Sequence, residues 1–186
     1  MTLSITTPFL IILKQIQKRG KLIYGSEFRL NRNVIKTITH LSRYFSNDCT
    51  SKGTSKINPH KGILLIGKPE SGKTTLMYLL NFLFKTRNTY QLKSCLEIDN
   101  YYKKYGLLAI QEKFIESKKR YCLDDFGLEK ITENTSIIKL IIEAKLKDST
   151  GIKLHLITSL SLKEIRKNYG SPFVKTLEKN FNIINL

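Results

Sequence analysis

The segment that most constrains the fold of this chain is GILLIGKPESGKTTLMYLL, residues 62–80. It places glycines and lysines between two apolar stretches that would be buried in a folded protein. Residues 67–74 fit the pattern G-x-x-x-x-G-K-[S/T] without a gap, and the flanking residues predict a strand over 62–66 and a helix over 74–84. Glycine allows a turn tight enough for successive N–H groups to face one anion. The segment therefore predicts a loop that holds the phosphates of a nucleotide.

The predicted roles within this loop follow from the chemistry of a triphosphate. Lys73 would contact the β- and γ-phosphates and take part in catalysis, and the hydroxyl of Thr74 would ligate Mg²⁺. The positive N-terminal end of the following helix would add to the attraction. The residues expected to bind the nucleotide are Gly67, Lys68, Pro69, Glu70, Ser71, Gly72, Lys73, Thr74 and Thr75.

Two adjacent aspartates follow a short apolar segment farther along the chain. The sequence YCLDD predicts a strand over 121–123 that ends in Asp124 and Asp125. A carboxylate at the end of a neighbouring strand can reach the metal ion at the phosphate loop, and Asp124 is assigned this role. Asp125 is assigned to orient and polarise the attacking water, with Glu129 as the weaker candidate. A solvated turn that the aspartates cap is the alternative interpretation.

Short apolar runs alternate with helix-length segments from residue 60 onward. Further strands are predicted over 90–95, 153–158 and 182–186. Helices are predicted over 8–18, 33–45, 74–84, 96–105, 107–118, 136–147, 162–168 and 173–180. This alternation predicts a parallel sheet that is covered on both faces. Fifty residues separate Thr74 from Asp124 and include another predicted strand, which favours ATPases of the motor and AAA+ type over small nucleotide kinases.

The N-terminal third of the chain is predicted to be helical and basic. The net charge of +17 suggests a polyanionic partner, although biased codon usage could also supply many of the lysines. Residues 1–61 alone contribute +9. Gly20 is expected to end the first helix, and Ser94 is expected to cap the helix over 96–105. The polar segment 47–62 reads as a linker.

These patterns predict a basic helical segment with a linker over 1–59 and a nucleotide-binding core over 60–186. The basic residues expected to contact phosphates or a partner, unless they are merely a solvated surface, are Lys14, Lys18, Arg19, Lys21, Arg29, Arg32 and Arg43. The tyrosines at 101, 102 and 105 could stack on bases beside Lys103 and Lys104, but partial burial in the core is the preferred interpretation.

The cysteines and the apolar runs bear on the location of the protein. Cys49, Cys95 and Cys122 are odd in number and none is close to another, which disfavours a zinc site or a disulfide framework and predicts a reducing, cytoplasmic environment. The longest early apolar run, 8–13, is too short to span a bilayer, so no membrane association is expected.

Taken together, GILLIGKPESGKTTL, YCLDDFG and LITSLSLKEIRKNYG resemble the AAA+ ATPases of the DnaC-type helicase loaders and the IstB-type transposition helpers. The resemblance covers roughly residues 25–186. It implies an α/β P-loop NTPase fold of the AAA+ (ASCE) type, with a five-stranded parallel sheet between helices. It further implies ATP with Mg²⁺, assembly into an oligomer, and contact with single-stranded DNA and a partner helicase, transposase or recombinase. By position, residues 67–74 fall on the family's phosphate loop and Asp124 and Asp125 fall on its acidic pair. Ser159 falls at the sensor position, where the family usually has Asn.

Two departures from the family pattern affect the expected activity. After Tyr169 and Gly170 the family usually carries an arginine that reaches the ATP of a neighbouring subunit, but the segment here is SPFVKTLEKNF. Lys175 lies near that position, and lysine stabilises transferring phosphoryl charge less well than arginine. The chain stops at Leu186, so no C-terminal lid is expected.

The function expected from these patterns is that of an accessory ATPase in DNA replication or transposition, with slow or partner-dependent hydrolysis. ATP would switch its interaction with DNA and a partner protein. A nucleotide-binding module with little turnover is the alternative. A small-molecule kinase comes third, because the sequence offers no recognisable acceptor pocket.

Overall fold

The computed structural model of the protein describes residues 9–46, 57–84, 89–131, 136–147 and 154–186. The helices are α1 (Phe9–Tyr24), α2 (Arg32–Ser46), α3 (Lys73–Leu83), α4 (Cys95–Ile110), α5 (Ile137–Lys147), α6 (Leu162–Tyr169) and α7 (Ser171–Asn180). The strands are β1 (Gly62–Ile66), β2 (Gln91–Ser94), β3 (Tyr121–Asp124), β4 (Leu154–Thr158) and β5 (Phe181–Asn185). Most of the predicted linker, together with Cys49, lies outside these ranges. No helix within them is both long enough and apolar enough to cross a membrane.

The five strands form one parallel sheet in the order β2-β3-β4-β1-β5. The register places Leu64 of β1 opposite Leu156 of β4, and Leu156 in turn lies opposite Leu123 of β3. One strand, β4, therefore separates the strand before the phosphate loop from the strand that ends in the acidic pair. The predicted α/β fold with a five-stranded parallel sheet is confirmed, and each predicted strand boundary in the described ranges lies within one residue of the observed one.

The chain divides into two compact units. One unit comprises the described parts of residues 1–59 and 72–89 together with Leu186, and its helices α1, α2 and α3 pack on one another. The other comprises residues 60–71 and 90–185 and contains the whole sheet with α4 to α7. The domain boundary expected between residues 59 and 60 stays a prediction.

The core of the sheet unit explains why its strands are continuous apolar runs in the sequence. Alternate residues of β1, β3 and β4, such as Leu64, Leu123 and Leu156, belong to one apolar cluster with residues of α4, α5, α6 and α7. The intervening strand residues, such as Ile63 and Ile157, are also buried. Strands of a parallel sheet that are buried on both faces lose the alternation of polar and apolar residues.

Two expectations about helix ends were wrong. Gly20 does not end α1, which continues to Tyr24. A Cβ on Gly20 would lie 2.1 Å from the ring of Phe28, so this glycine admits a close ring contact instead. Ser94 precedes α4, but its side chain makes no capping hydrogen bond. The two helices predicted over 96–118 are observed as α4, which is broken at Gly106, and a π-helical turn over Gln111–Ile115.

Candidate nucleotide-binding site

The phosphate-loop motif begins as a turn directly after β1. The N–H of Gly67 donates to the carbonyl of Thr158 at 3.2 Å, which fixes the start of the loop beside the end of β4. The N–H of Ser71 donates to the carbonyl of Lys68, also at 3.2 Å. This bond closes a turn over residues 68–71.

Two residues of the loop have left-handed backbone conformations. Glu70 has a φ of +61° and Gly72 has a φ of +88°, with Ser71 between them. Changes of backbone handedness between successive residues turn consecutive N–H groups toward one side, as in anion-binding nests of the backbone. A non-glycine residue in this region is uncommon and marks a conformation that the surrounding structure must stabilise.

Two further observations concern the capacity of the loop to hold an anion. The hydroxyl of Ser71 is buried, and in the part of the chain that the structure describes it has no hydrogen-bond partner. Gly72 precedes α3 without a side-chain cap, and a Cβ on Gly72 would meet no atom within 4 Å. Orphaned buried donors are costly unless a ligand or water satisfies them. An anion at the loop would meet this need.

The remaining residues of the motif differ in exposure. Lys68, Pro69, Glu70 and Thr74 are exposed, Gly67, Ser71, Gly72 and Thr75 are half-buried, and Lys73 is buried. The roles expected for them, including the contacts of Lys73 with phosphate and of Thr74 with magnesium, stay predictions.

We call residues 124–129 the acidic turn. Asp124 is the last residue of β3 and is buried, and its Oδ1 accepts the N–H of Asp125 at 3.0 Å. Asp125 is exposed and has a φ of +55°. The N–H of Phe126 donates to the carbonyl of Ile157 at 2.9 Å, and the N–H of Leu128 donates to the carbonyl of Asp125 at 3.1 Å. These bonds hold Asp125 in a left-handed conformation at the tip of the turn.

The polar residues at the end of β4 have different environments. Thr158 is fully buried, and its hydroxyl donates to the carbonyl of Phe126 at 2.6 Å and accepts the N–H of Leu160 at 3.0 Å. This hydroxyl is therefore committed to holding the acidic turn. Ser159 is half-buried and is the first residue after β4.

The carboxyl ends of β1, β4 and β3 are adjacent in the sheet, because the three strands are parallel neighbours. Gly67, Ser159 and Asp124 lie at these three ends. Ligands of open α/β sheets bind at such an edge. The sheet therefore brings together the start of the phosphate loop, the expected sensor residue and the expected metal ligand.

Glu129 is a buried hydrogen-bond acceptor that sequence reasoning assigned only as a weaker candidate for polarising water. It is 4% exposed. Its Oε2 accepts the N–H of Gly127 at 2.7 Å, and its Oε1 accepts the hydroxyl of Ser136 at 3.0 Å and that of Tyr169. We call these four residues the Glu129 cluster. A carboxylate held by three donors is engaged in structure, which favours Asp125 over Glu129 for contact with water.

Burial and nearby acids shift the pKa values of three groups in the sheet unit. Burial raises the pKa of Tyr169, and the negative charge of Glu129 raises it further. Burial also raises the pKa of the Cys95 and Cys122 thiols, with smaller contributions from nearby acids such as Asp124. Both cysteines are free and buried. Thiols of this kind are unreactive, so neither is a candidate nucleophile.

Helix α4 carries a group of exposed aromatic and apolar residues that is separate from the sheet edge. Tyr101 is half-buried, as expected, and Lys113 Nζ lies 3.9 Å from its ring centroid. The other two tyrosines are buried less, because Tyr102 is 38% exposed and Tyr105 is 52% exposed. The break at Gly106 ends the first part of the helix, and the residues after it, Leu107 and Leu108, are exposed as well. We call the exposed residues Tyr102, Lys104, Tyr105, Leu107 and Leu108 the α4 patch.

The fold and the sheet-edge residues together define the class of the protein as α/β, with a five-stranded parallel sheet and a phosphate-loop motif directly after β1. No protein-family profile matches the chain, and no curated protein matches it by sequence. Solved structures do match its fold. The crystal structure of the DnaC helicase loader aligns with a TM-score of 0.64 and 16% identity, over 87% of this chain and 94% of that one.

Two further structures have the same fold. The DnaI crystal structure aligns with a TM-score of 0.62 and 16% identity, over 97% of this chain and 91% of that one. AMPPCP-bound DnaA from Aquifex aeolicus aligns with a TM-score of 0.58 and 16% identity, over 86% of this chain and 48% of that one. At such identities the likeness is one of fold. The fold predicted from the resemblance to DnaC-type ATPases is confirmed.

Proposed function

We propose that this chain is an ATP-binding and ATP-hydrolysing accessory ATPase of DNA replication or transposition, which uses ATP to switch its interactions with DNA and a partner protein. The phosphate loop carries the proposal, through its left-handed residues Glu70 and Gly72 and the orphaned hydroxyl of Ser71 between them. The fold neighbours support it, because one is a helicase loader and another binds an ATP analogue.

The proposed roles of the site residues combine the motif with the geometry of the sheet edge. Lys73 binds the β- and γ-phosphates, while Thr74 and Asp124 hold Mg²⁺, which neutralises phosphate charge. Asp125 orients the attacking water, a role supported by its exposure at the tip of the acidic turn. Ser159 senses the γ-phosphate, because the neighbouring Thr158 hydroxyl is already engaged.

A nucleotide-binding module with little turnover is the second candidate. The segment from Ser171 to Phe181, which follows Tyr169 and Gly170, contains no arginine, and its lysines are at positions 175 and 179. A lysine offers a point charge where an arginine would offer a planar fork of donors for phosphate. This observation favours slow hydrolysis, or hydrolysis that depends on an arginine from a partner.

The proposed contacts with single-stranded DNA involve the basic residues of the N-terminal helices and the α4 patch. On the N-terminal helices and their connection, Lys14, Lys18, Lys21, Arg29 and Arg32 are exposed. Arg19 is half-buried, and its guanidinium carbon lies 4.1 Å from the ring centroid of Phe82, so it contributes less to an open basic surface. The α4 patch offers exposed rings beside a lysine, which suits base stacking. Assembly into an oligomer, a partner helicase or recombinase, and a cytoplasmic location stay predictions.

Steady-state ATP hydrolysis with and without single-stranded DNA tests the proposal. Wild type is compared with Asp125→Asn and with Glu178→Gln, which removes a negative charge from an exposed position of α7. DNA-stimulated turnover that disappears in Asp125→Asn but persists in Glu178→Gln supports the ATPase. Tight Mg-ATP binding with turnover near zero supports the binding module. Calorimetry that shows no Mg-ATP binding sensitive to Lys73→Ala contradicts both.

A further inference from the structure

The Glu129 cluster joins three parts of the sheet unit that are distant in the sequence. Gly127 lies in the acidic turn, Ser136 lies directly before α5, and Tyr169 is the last residue of α6. All three donate hydrogen bonds to one buried carboxylate. Burial of a carboxylate is unfavourable without such donors. The cluster therefore forms as a unit and fixes the relative positions of the three segments.

The first link of the cluster runs to Asp125. Glu129 accepts the N–H of Gly127 at 2.7 Å, and Gly127 has a φ of +101°. A Cβ on Gly127 would lie 2.3 Å from the side chain of Leu160, so the turn also packs closely against the segment after β4. The bond from the N–H of Leu128 to the carbonyl of Asp125 spans the same turn. A displacement of the Glu129 carboxylate would therefore disturb the conformation that presents Asp125.

The second link runs to the junction of α6 and α7. Tyr169 is 1% exposed, and its ring stacks on Phe126 with centroids 4.9 Å apart. Phe173 of α7 adds a third ring, 5.4 Å from Tyr169. The carbonyl of Tyr169 also accepts a hydrogen bond from Lys139 Nζ at 3.5 Å. The end of α6 thus contacts the acidic turn twice, through the hydroxyl on Glu129 and through the ring on Phe126.

We propose that Glu129 is a positioning residue, which holds the acidic turn in the conformation that presents Asp125 and ties this turn, through Tyr169, to the junction of α6 and α7. The proposal rests on the proposed function, because it concerns the water-orienting role of Asp125. Glu129 acts through the amide of Gly127. A movement of the α6–α7 junction would then change the conformation of Asp125. It would act through the hydrogen bond from Tyr169 to Glu129 and through the stacking of Tyr169 on Phe126.

Amide hydrogen exchange of the nucleotide-free protein tests the structural half of this proposal. Glu129→Ala is expected to speed exchange at Gly127 by about tenfold or more, because the amide loses its buried acceptor. Glu129→Gln retains an acceptor oxygen and is expected to restore most of the protection. Tyr169→Phe removes only one donor and is expected to speed exchange by about threefold.

Tyr121→Phe is the matched control for Tyr169→Phe. Tyr121 is likewise a buried tyrosine of the sheet unit, but its hydroxyl donates to the carbonyl of Lys113 at 2.8 Å and does not contact Glu129. Tyr121→Phe should therefore leave the rate of amide exchange at Gly127 unchanged. Equal acceleration in both variants, or none in Tyr169→Phe and Glu129→Ala, would overturn the proposal.

Single-turnover and steady-state kinetics test the catalytic half. Glu129→Ala and Tyr169→Phe are expected to lower kcat, by about tenfold and about threefold, while the Kd for Mg-ATP changes by less than about twofold. Unchanged kcat in the folded variants, or equal losses in kcat and affinity, would overturn the proposal. A wild-type protein that neither binds nor hydrolyses Mg-ATP overturns the proposed function instead, and the exchange data then still decide whether Glu129 holds the turn.

Discussion

Gly62, the first residue of β1, has no room for a side chain. A Cβ there would lie 2.3 Å from the carbonyl oxygen of Leu154 and 2.7 Å from the ring of Phe181, and both neighbours are fixed in the sheet. We expect Gly62→Ala to lower the free energy of unfolding by about 3 kcal/mol, because either the backbone of β4 or the buried ring must move. Urea unfolding followed by circular dichroism measures the loss.

Gly170→Ala provides the comparison for this substitution. Gly170 has a φ of +87°, but the nearest atom to its Cβ position is Pro172 Cδ at 3.6 Å, an ordinary contact. With a ψ of 158° Gly170 lies in a region that only glycine adopts readily, so we expect a loss of about 2 kcal/mol from backbone strain alone. No loss of stability in Gly62→Ala would mean that the close packing around Gly62 is not energetically important.

His155 of β4 is a buried base whose titration should appear in the stability of the protein. Burial, together with the nearby positive charge of Arg120, lowers the pKa of His155 to about 3. Its Nδ1 accepts the N–H of Ile63 at 3.1 Å. Above its ordinary pKa of 6.5, the ring is neutral whether the chain is folded or unfolded. Below that pH only the unfolded chain gains the proton, so stability falls as the pH is lowered toward 3.

We expect the free energy of unfolding to decrease by about 1 kcal/mol between pH 6 and pH 5 because of His155. His155→Asn keeps an acceptor for the N–H of Ile63, because Oδ1 of asparagine takes the position of Nδ1, and it cannot titrate. Its unfolding free energy should therefore change less over this interval, and urea titrations of both proteins at the two pH values measure the difference. If the unfolding free energies of wild type and variant changed equally between pH 6 and pH 5, the folded protein would protonate His155 as readily as the unfolded chain does.

At the scale of single elements, α6 has the best-defined start of any helix in the described ranges. The hydroxyl of Ser161 accepts the N–H of Glu164, and the carboxylate of Glu164 accepts the N–H of Ser161 at 2.7 Å. These hydrogen bonds, foremost that of the Ser161 side chain, lower the pKa of Glu164. Ser161 and Glu164 are three residues apart, which is the spacing that a capping box requires.

We expect Ser161→Ala to lower the free energy of unfolding by about 1 kcal/mol, because α6 loses the side-chain acceptor at its first turn. Ser171→Ala is the matched control, since α7 starts at Ser171 after Gly170 and has no side-chain cap. Thermal unfolding of the two variants should show a lower Tm for Ser161→Ala alone. A similar change in both would mean that the box contributes nothing beyond the loss of a surface hydroxyl.

The sequence predicted the elements that local patterns encode. Strands such as 62–66 and 154–158 are apolar runs bounded by turn residues, and the phosphate loop is a contiguous motif. The Glu129 cluster was not predictable, because its donors come from positions 127, 136 and 169, which only the folded chain brings together. Gly20 misled for a similar reason: glycine usually ends a helix, and nothing local revealed the ring of Phe28 against it.

Exposure of the tyrosines on α4 was equally hidden from a sequence reading. Their spacing is compatible with a buried helix face, and Tyr101 does contact the core. Tyr105 nevertheless remains exposed, and Leu107 and Leu108 beyond the break at Gly106 are exposed as well. Periodicity marks the residues that share a helix face, but it does not show which part of that face the core covers.

At the scale of the whole molecule, the positive charge is spread along the chain and denser at its N-terminal end. Residues 1–61 contribute +9 and the remaining two thirds contribute +8. A chain with this balance attracts polyanions at long range, and salt weakens that attraction. Ionic contacts and base stacking should therefore be separable by their dependence on salt, because stacking releases no counterions.

We expect two substitutions in the α4 patch to affect binding of single-stranded DNA in different ways. Lys104→Gln should reduce the slope of log affinity against log salt concentration by about 0.7, since one phosphate contact is lost. Tyr105→Ala should lower affinity by about tenfold with an unchanged slope, since its exposed ring contributes stacking. Fluorescence anisotropy with a labelled oligonucleotide at several salt concentrations measures both. If neither substitution alters binding while Lys14→Gln and Lys18→Gln reduce the slope, the DNA contacts the N-terminal helices and not the α4 patch.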